Sequence, residues 1–229
     1  MKNKYKVLLL TVCAVLLIAS AAFGTIAYLT DTESVTNTFT VGNVDIKLDE
    51  TDVTKDDGSR TEEGNQYHLL PGHTYKKDPT VTVLDDSEKT YVRMVVEVVN
   101  IDELKASMPV ADFPTYYADT NTTYPGIFLL QNVVKNWDKD TWLFTSYEEK
   151  NNGNAYYEFR YNGVVDGGVD VDTDPEAVLP ALFTDIVIPG EVNNAGIAHL
   201  ANVQIVVEAH AIQADGFADA AAAWAAFTK

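Results

Sequence analysis

The sequence holds one cysteine among its 229 residues, Cys13, and that residue lies in an apolar run near the N-terminus. The chain beyond it has no thiol for a disulfide, a thiolate-bound metal or a covalent nucleophile, so a fold there must be held by its core. Acids are missing from the first 27 residues, whose only charges are Lys2, Lys4 and Lys6. The other 13 of the 16 basic residues and all 34 acids come later, a net charge of −21. A field of that sign repels nucleic-acid phosphate and anionic lipid, which argues against nucleic acid as a partner. Motifs of catalysis are absent as well. None of His68, His73, His199 and His210 belongs to the HExxH pattern that sets two zinc ligands and a base on one helical face. No GxSxG elbow or phosphate loop occurs, and with 34 acids available any pairing of carboxylates is uninformative. No repeat of fixed period is visible. These gaps read as a protein that is not an enzyme.

What is present is core-forming material: 46% apolar residues and 10% aromatic, with 12 tyrosines, the composition of a folded chain. At the N-terminus, basic residues 2–6 precede the apolar run 7–23, and Gly24-Thr25-Ile26-Ala27 then places small residues three and one before a cut. This layout reads as a signal helix over 1–27, cleaved between Ala27 and Tyr28, and hence as a secreted protein of the cell surface or extracellular matrix. The run from Val7 to Leu29 is also long enough to span a bilayer, and an uncleaved anchor is the alternative.

Beyond the cut, residues 28–37 are Thr-rich and extended in character, either strand or tail. Residues 38–229 read as one mostly β domain. Strands are expected at Thr38–Leu48, with a phase shift at Gly42-Asn43, and at Thr80–Leu84, Trp142–Tyr147, Ala155–Tyr161 and Thr184–Ile188. Tyr91–Val99 is β-branched on both parities, as in a strand buried on both faces. Asn202–Ile212 alternates, with Val203, Ile205, Val207, Ala209 and Ala211 on one face. Ile127–Val134 is read as a further strand. Residues 49–66 read as a charged, exposed hairpin loop, Leu70-Pro71-Gly72-His73 as a type II turn, and 101–126 as an insertion opening on a short helix over Ile101–Ala111. Phe217, Ala220, Ala221, Trp224 and Phe227 share one face of a C-terminal helix expected to cap one end. Many short strands with turn punctuation predict an antiparallel β-sandwich or jelly roll with short helical insertions.

One cluster has ligand-like spacing. Asp170, Asp172, Asp174 and Glu176 alternate as in the first half of a calcium loop, where carboxylates converge on a hard cation. Pro175 stands where such a loop needs glycine, and Ala181 where it needs a bidentate acid. A weak Ca²⁺ site and a solvated acidic loop are both open readings, and no other cofactor is indicated.

Several segments together resemble a known family, the TasA and camelysin (CalY) proteins that a dedicated SipW-type signal peptidase releases from Gram-positive bacteria. The resemblance rests on the long signal ending Gly24-Thr25-Ile26-Ala27, then Tyr28-Leu29-Thr30-Asp31 and Thr38-Phe39-Thr40-Val41-Gly42-Asn43-Val44-Asp45-Ile46. It continues through Leu70-Pro71-Gly72, Lys77-Asp78-Pro79-Thr80-Val81 and Ile188-Pro189-Gly190 to Ala209–Phe217 with Ala223-Trp224, about half the chain. It implies a jelly-roll-like subunit that polymerises with itself into fibres of the biofilm matrix, alone or with other matrix components. The freshly cut N-terminus, with Tyr28, Leu29, Asp31, Glu33, Val35 and Asn37 as candidate donor-strand residues, would insert into the next subunit. The camelysin branch also implies a surface metallo-endopeptidase, a label that no motif here supports. A calcium-dependent adhesive module is the third reading.

Overall fold

A computed structural model of the chain describes Lys6 and residues 43–85, 87–108, 128–167 and 178–227. The chain divides into two compact units, residues 1–41 and 42–229, and the described fold is that of the second. The expected signal helix, the cut at Ala27 and Tyr28, residues 28–37 and most of the insertion lie outside the described residues.

The described unit is mostly β, with antiparallel sheets and short helices. Strands β1 (Ile46–Thr51), β2 (Arg60–Thr61), β3 (Thr74–Lys76), β4 (Thr80–Val83) and β5 (Thr90–Val99) are followed by helices α1 (Ile101–Ser107) and α2 (Phe128–Asn132). Then come β6 (Val134–Lys135), β7 (Trp142–Glu149), β8 (Ala155–Tyr161), β9 (Asp185–Val187), α3 (Asn194–Leu200), β10 (Gln204–Gln213) and α4 (Ala220–Ala226). They form three sheets in the orders β2-β1-β4, β10-β5-β8-β7 and β3-β9-β6.

The four-stranded sheet carries the core because its strands alternate. On β5, Val92, Met94, Val96 and Val98 are all 0% exposed. Opposite them lie Ala211, Ala209, Val207 and Ile205 of β10, and Met94, Val96 and Val98 also face Phe159, Tyr157 and Ala155 of β8. The expectation that β5 is buried on both faces needs correction. Tyr91, Arg93, Val95, Glu97 and Val99 form an outer face that is only half covered. Trp142, fully buried, donates its indole N–H to the Pro180 carbonyl at 2.9 Å and meets Tyr161 edge-on at 5.4 Å. The Pro-Gly turn is as its residues demand. His73 N–H bonds the Leu70 carbonyl at 3.3 Å, and Gly72 has φ +75°, a conformation that glycine adopts at little steric cost.

Three further expectations change. Residues 127–134 are not a strand: Phe128–Asn132 is helical, with Val133 N–H on the Leu129 carbonyl at 3.1 Å, and only Val134–Lys135 pairs in a sheet. The run is apolar without alternation, so its period separates a buried helical turn from a strand poorly. Residues 49–66 are not wholly an exposed loop, because β1 runs on to Thr51 and Asp49, Glu50 and Asp52 are all under 9% exposed. The C-terminal helix lies against the outer face of β5 and β10. The Arg93 guanidinium sits 4.5 Å from the centre of Trp224 and 4.6 Å from that of Phe227, and His210 stacks on Phe227 at 5.3 Å. Its buried residues are Ala223 and Trp224, while Ala221 is exposed, and Asp219 caps its start, its carboxylate accepting from Ala222 N–H.

Helix α3 has no counterpart among the elements expected from sequence. Asn193 caps it, accepting from Gly196 N–H at 3.0 Å, and a β-carbon on Gly196 would lie 2.3 Å from the Ser107 carbonyl oxygen. Only glycine allows α3 to pack this closely on the end of α1.

Candidate functional site: an open sheet edge and the groove beside it

β10 ends the four-stranded sheet, and among the described residues no strand pairs with its second edge. Which backbone groups face that edge is set by the register. Ala214 N–H bonds the Lys89 carbonyl at 2.6 Å and Gln213 lies opposite Thr90. In an antiparallel ladder the hydrogen-bonded pairs alternate, so residues 206, 208, 210 and 212 turn their N–H and C=O toward β5. Residues 205, 207, 209, 211 and 213 turn theirs outward. The opposite edge, β7, is built differently, with a register shift between Phe144 and Ser146 and the carboxylates of Glu148 and Glu149. Bulges and charges of this kind blunt an edge against pairing.

Beside β10 lies a cavity of about 1040 Å³. Val203–Val207 line one side, Leu48–Glu50 of β1 and the 61–69 segment line another, and Leu104, Val133, Ile186 and Ile188 add apolar surface. Among the described residues β1 is itself incompletely paired: β4 covers Ile46–Asp49 on one side, while β2 covers only Glu50 and Thr51 on the other.

The β1 wall is fixed by buried charge. Arg60 Nε donates to Asp49 Oδ1 at 2.5 Å and Nη1 to Asp78 Oδ2 at 3.3 Å, while Nη2 reaches the carbonyls of Asp49 and Asp78, each at 3.1 Å. Asp78 also accepts from the Thr51 N–H at 2.7 Å and the Thr51 hydroxyl at 2.8 Å. Burial alone would raise the Asp78 carboxyl, but the Thr51 donors and the Arg60 and Lys76 cations outweigh it and hold the group below its ordinary range. Deeper in, Lys77 Nζ donates to Glu50 Oε2 at 2.8 Å. The Asn65 side-chain N–H₂ donates to Glu50 Oε1 at 2.9 Å and to the Thr51 carbonyl at 2.8 Å, and Asn65 Oδ1 accepts from Val53 N–H at 2.9 Å.

This depressed carboxyl makes stability depend on pH. A carboxyl whose folded pKa is depressed adds stability that is fully present above its unfolded value, about 3.9 for aspartate, and is lost as pH falls through the folded value. The parent chain should therefore lose stability below about pH 4. Asp78→Asn should cost roughly 1–3 kcal/mol at neutral pH, because the Arg60 clip loses its charged acceptor, and should flatten the acid limb. Urea midpoints measured from pH 2 to pH 7 check this, and an unchanged acid limb in the variant would sink the assignment.

The residues singled out from sequence are dispersed or lie outside the described residues. Asp170, Asp172, Asp174 and Glu176 belong to the second group, as do all the donor-strand candidates from Tyr28 to Asn37. His68 and His73 are exposed around the Pro-Gly turn. His199 Nδ1 lies 2.6 Å from Glu103 Oε2, between α3 and α1, and His210 accepts from Arg93 Nε at 3.3 Å on the outer face. Among the described residues no three potential metal ligands converge, and no helix is long and apolar enough to cross a membrane. Sequence reasoning missed the open edge and the Glu50, Lys77 and Asn65 group, whose members come together only through pairing across the β1 region. The chain matches no protein-family model, no curated protein and no solved structure.

Proposed function

We propose that the protein is a secreted structural subunit, a jelly-roll-like β-sandwich of the TasA and camelysin kind. After cleavage at Ala27 it assembles with copies of itself into extracellular fibres. The observation that carries the reading is the edge of β10, whose outward amides and carbonyls border a groove with apolar walls. An extended segment that adds to such an edge gains main-chain hydrogen bonds and can seat alternate side chains in the groove. Residues 28–37 are the donor in this scheme. Tyr28, Leu29 and Val35 are their only sizeable apolar residues, so main-chain bonding supplies most of the attraction.

The test compares a chain starting at Tyr28 with one starting at Thr38. The segment adds little apolar area at roughly 25 cal/mol per Å², so both should melt within a few degrees of each other. Only the longer chain should form fibres by electron microscopy and sediment as polymer. Fibres from the shorter chain would refute donation by this segment, and a much lower melting temperature would show it to be a strand of its own subunit.

A further inference from the structure

We infer that Lys77 and Asn65 become joined by an intramolecular amide bond, with Glu50 passing the protons. The three side chains meet in the β1 wall of the groove. Glu50 holds the Lys77 ammonium on Oε2 at 2.8 Å and the Asn65 amide nitrogen on Oε1 at 2.9 Å, so nucleophile and leaving group share one carboxylate. The Lys77 and Glu50 side chains are 9% and 7% exposed. Removing an ion pair from water is costly for each charge, and a buried pair often gives no more stability than apolar residues would. The site is thus an expensive way to make a salt bridge and a suitable place to discharge one. The Asn65 carbonyl oxygen accepts the Val53 backbone N–H at 2.9 Å. That donor polarises the carbon to be attacked and stands where negative charge gathers in the tetrahedral intermediate.

The bond changes balance without an oxidant or cofactor. One proton passes from Nζ to the Glu50 carboxylate, and the freed amine attacks Asn65 Cγ, forming the Nζ–Cγ bond. Its approach falls to the flexible end of the lysine chain. Glu50 delivers its proton to Nδ2, takes the second proton from Nζ and delivers that as well. The Cγ–Nδ2 bond breaks and the nitrogen leaves as ammonium. Lys77 has lost two protons and its charge, ammonium carries that charge away, and Glu50 ends as the carboxylate it began as. The product ties the segment that follows β2 to the residues just before β4. It supplies a covalent staple to a domain whose sequence has no cysteine after Cys13.

The experiment is a tryptic digest of the purified, folded chain, read by peptide mass. Trypsin cuts after Arg60, Lys76 and Lys89, and after Lys77 only while its amine is free. The parent chain should yield one branched species joining residues 61–76 to residues 77–89, lighter by one ammonia than its two parts. Lys77→Arg keeps a cation against Glu50 and preserves the fold, and its 61–76 peptide should appear alone at full mass. Glu50→Gln should lose the branched species through loss of the proton carrier. Recovery of 61–76 and 78–89 as separate, unmodified peptides from the folded parent chain would overturn the inference. So would a link between Lys77 and Glu50, seen as the loss of one water.

Discussion

Trp142→Ala is expected to melt about 6–20 °C below the parent chain. The indole is fully buried at the start of β7, and its removal forfeits the apolar contacts with Tyr161 and leaves the Pro180 carbonyl without its 2.9 Å donor. Large-to-small changes of this kind cost roughly 3–5 kcal/mol, the spread depending on how far the cavity collapses. That is a large share of the 5–15 kcal/mol that typically separates folded from unfolded chains. The adjacent Leu143 supplies the control. It is 40% exposed on the opposite face, and its change to alanine should cost about 1 kcal/mol or less. Thermal unfolding followed by circular dichroism checks both. Equal losses at the two positions would mean that β7 does not present its faces as described.

The second large effect concerns two neighbours on β10. Proline at Ala209 removes an N–H that points away from β5, and proline is tolerated on an edge strand where the missing donor faces outward. The monomer should stay folded, while on the proposed assembly fibre formation should fail, because a strand added to this edge would lose a main-chain partner. Proline at His210 instead removes a bond of the β5–β10 ladder and should cost roughly 1–3 kcal/mol for that bond alone, before the stack on Phe227 is counted. Sedimentation velocity and thermal unfolding on the pair separate the two roles. An Ala209→Pro chain that still polymerises as well as the parent would remove β10 as the acceptor edge.

How much of the fold was legible in the sequence depended on whether the signal was local. β4, β5, β8, β9 and β10 could be read because alternation and β-branching are written within each segment, and the turn at Gly72 because its conformation is chosen by the residue itself. α2 was misread because Phe-Leu-Leu-Gln-Asn-Val-Val carries hydrophobicity without a period. α3 went unread although Asn193, with Ile197 and Leu200 three residues apart, was signal enough for a capped turn. The burial of Asp49 and Glu50 could not be read at all. Acids look exposed until their partners are known, and Arg60, Lys77 and Asp78 are recruited by strand pairing, not by sequence spacing. The open edge of β10 was hidden for the same reason, since an edge is a property of the whole sheet and not of the strand that occupies it.

The unlike construction of β10 and β7 has a consequence in symmetry. Two identical edges meeting across a dyad would close on themselves and stop as a pair. A joint between one molecule's β10 and a different segment of the next would match unlike surfaces, and such a joint repeats by a screw or a translation wherever its rotation does not close a ring. An object built from it has a direction: one terminus always shows a vacant edge, and the other always shows a strand with nowhere to go.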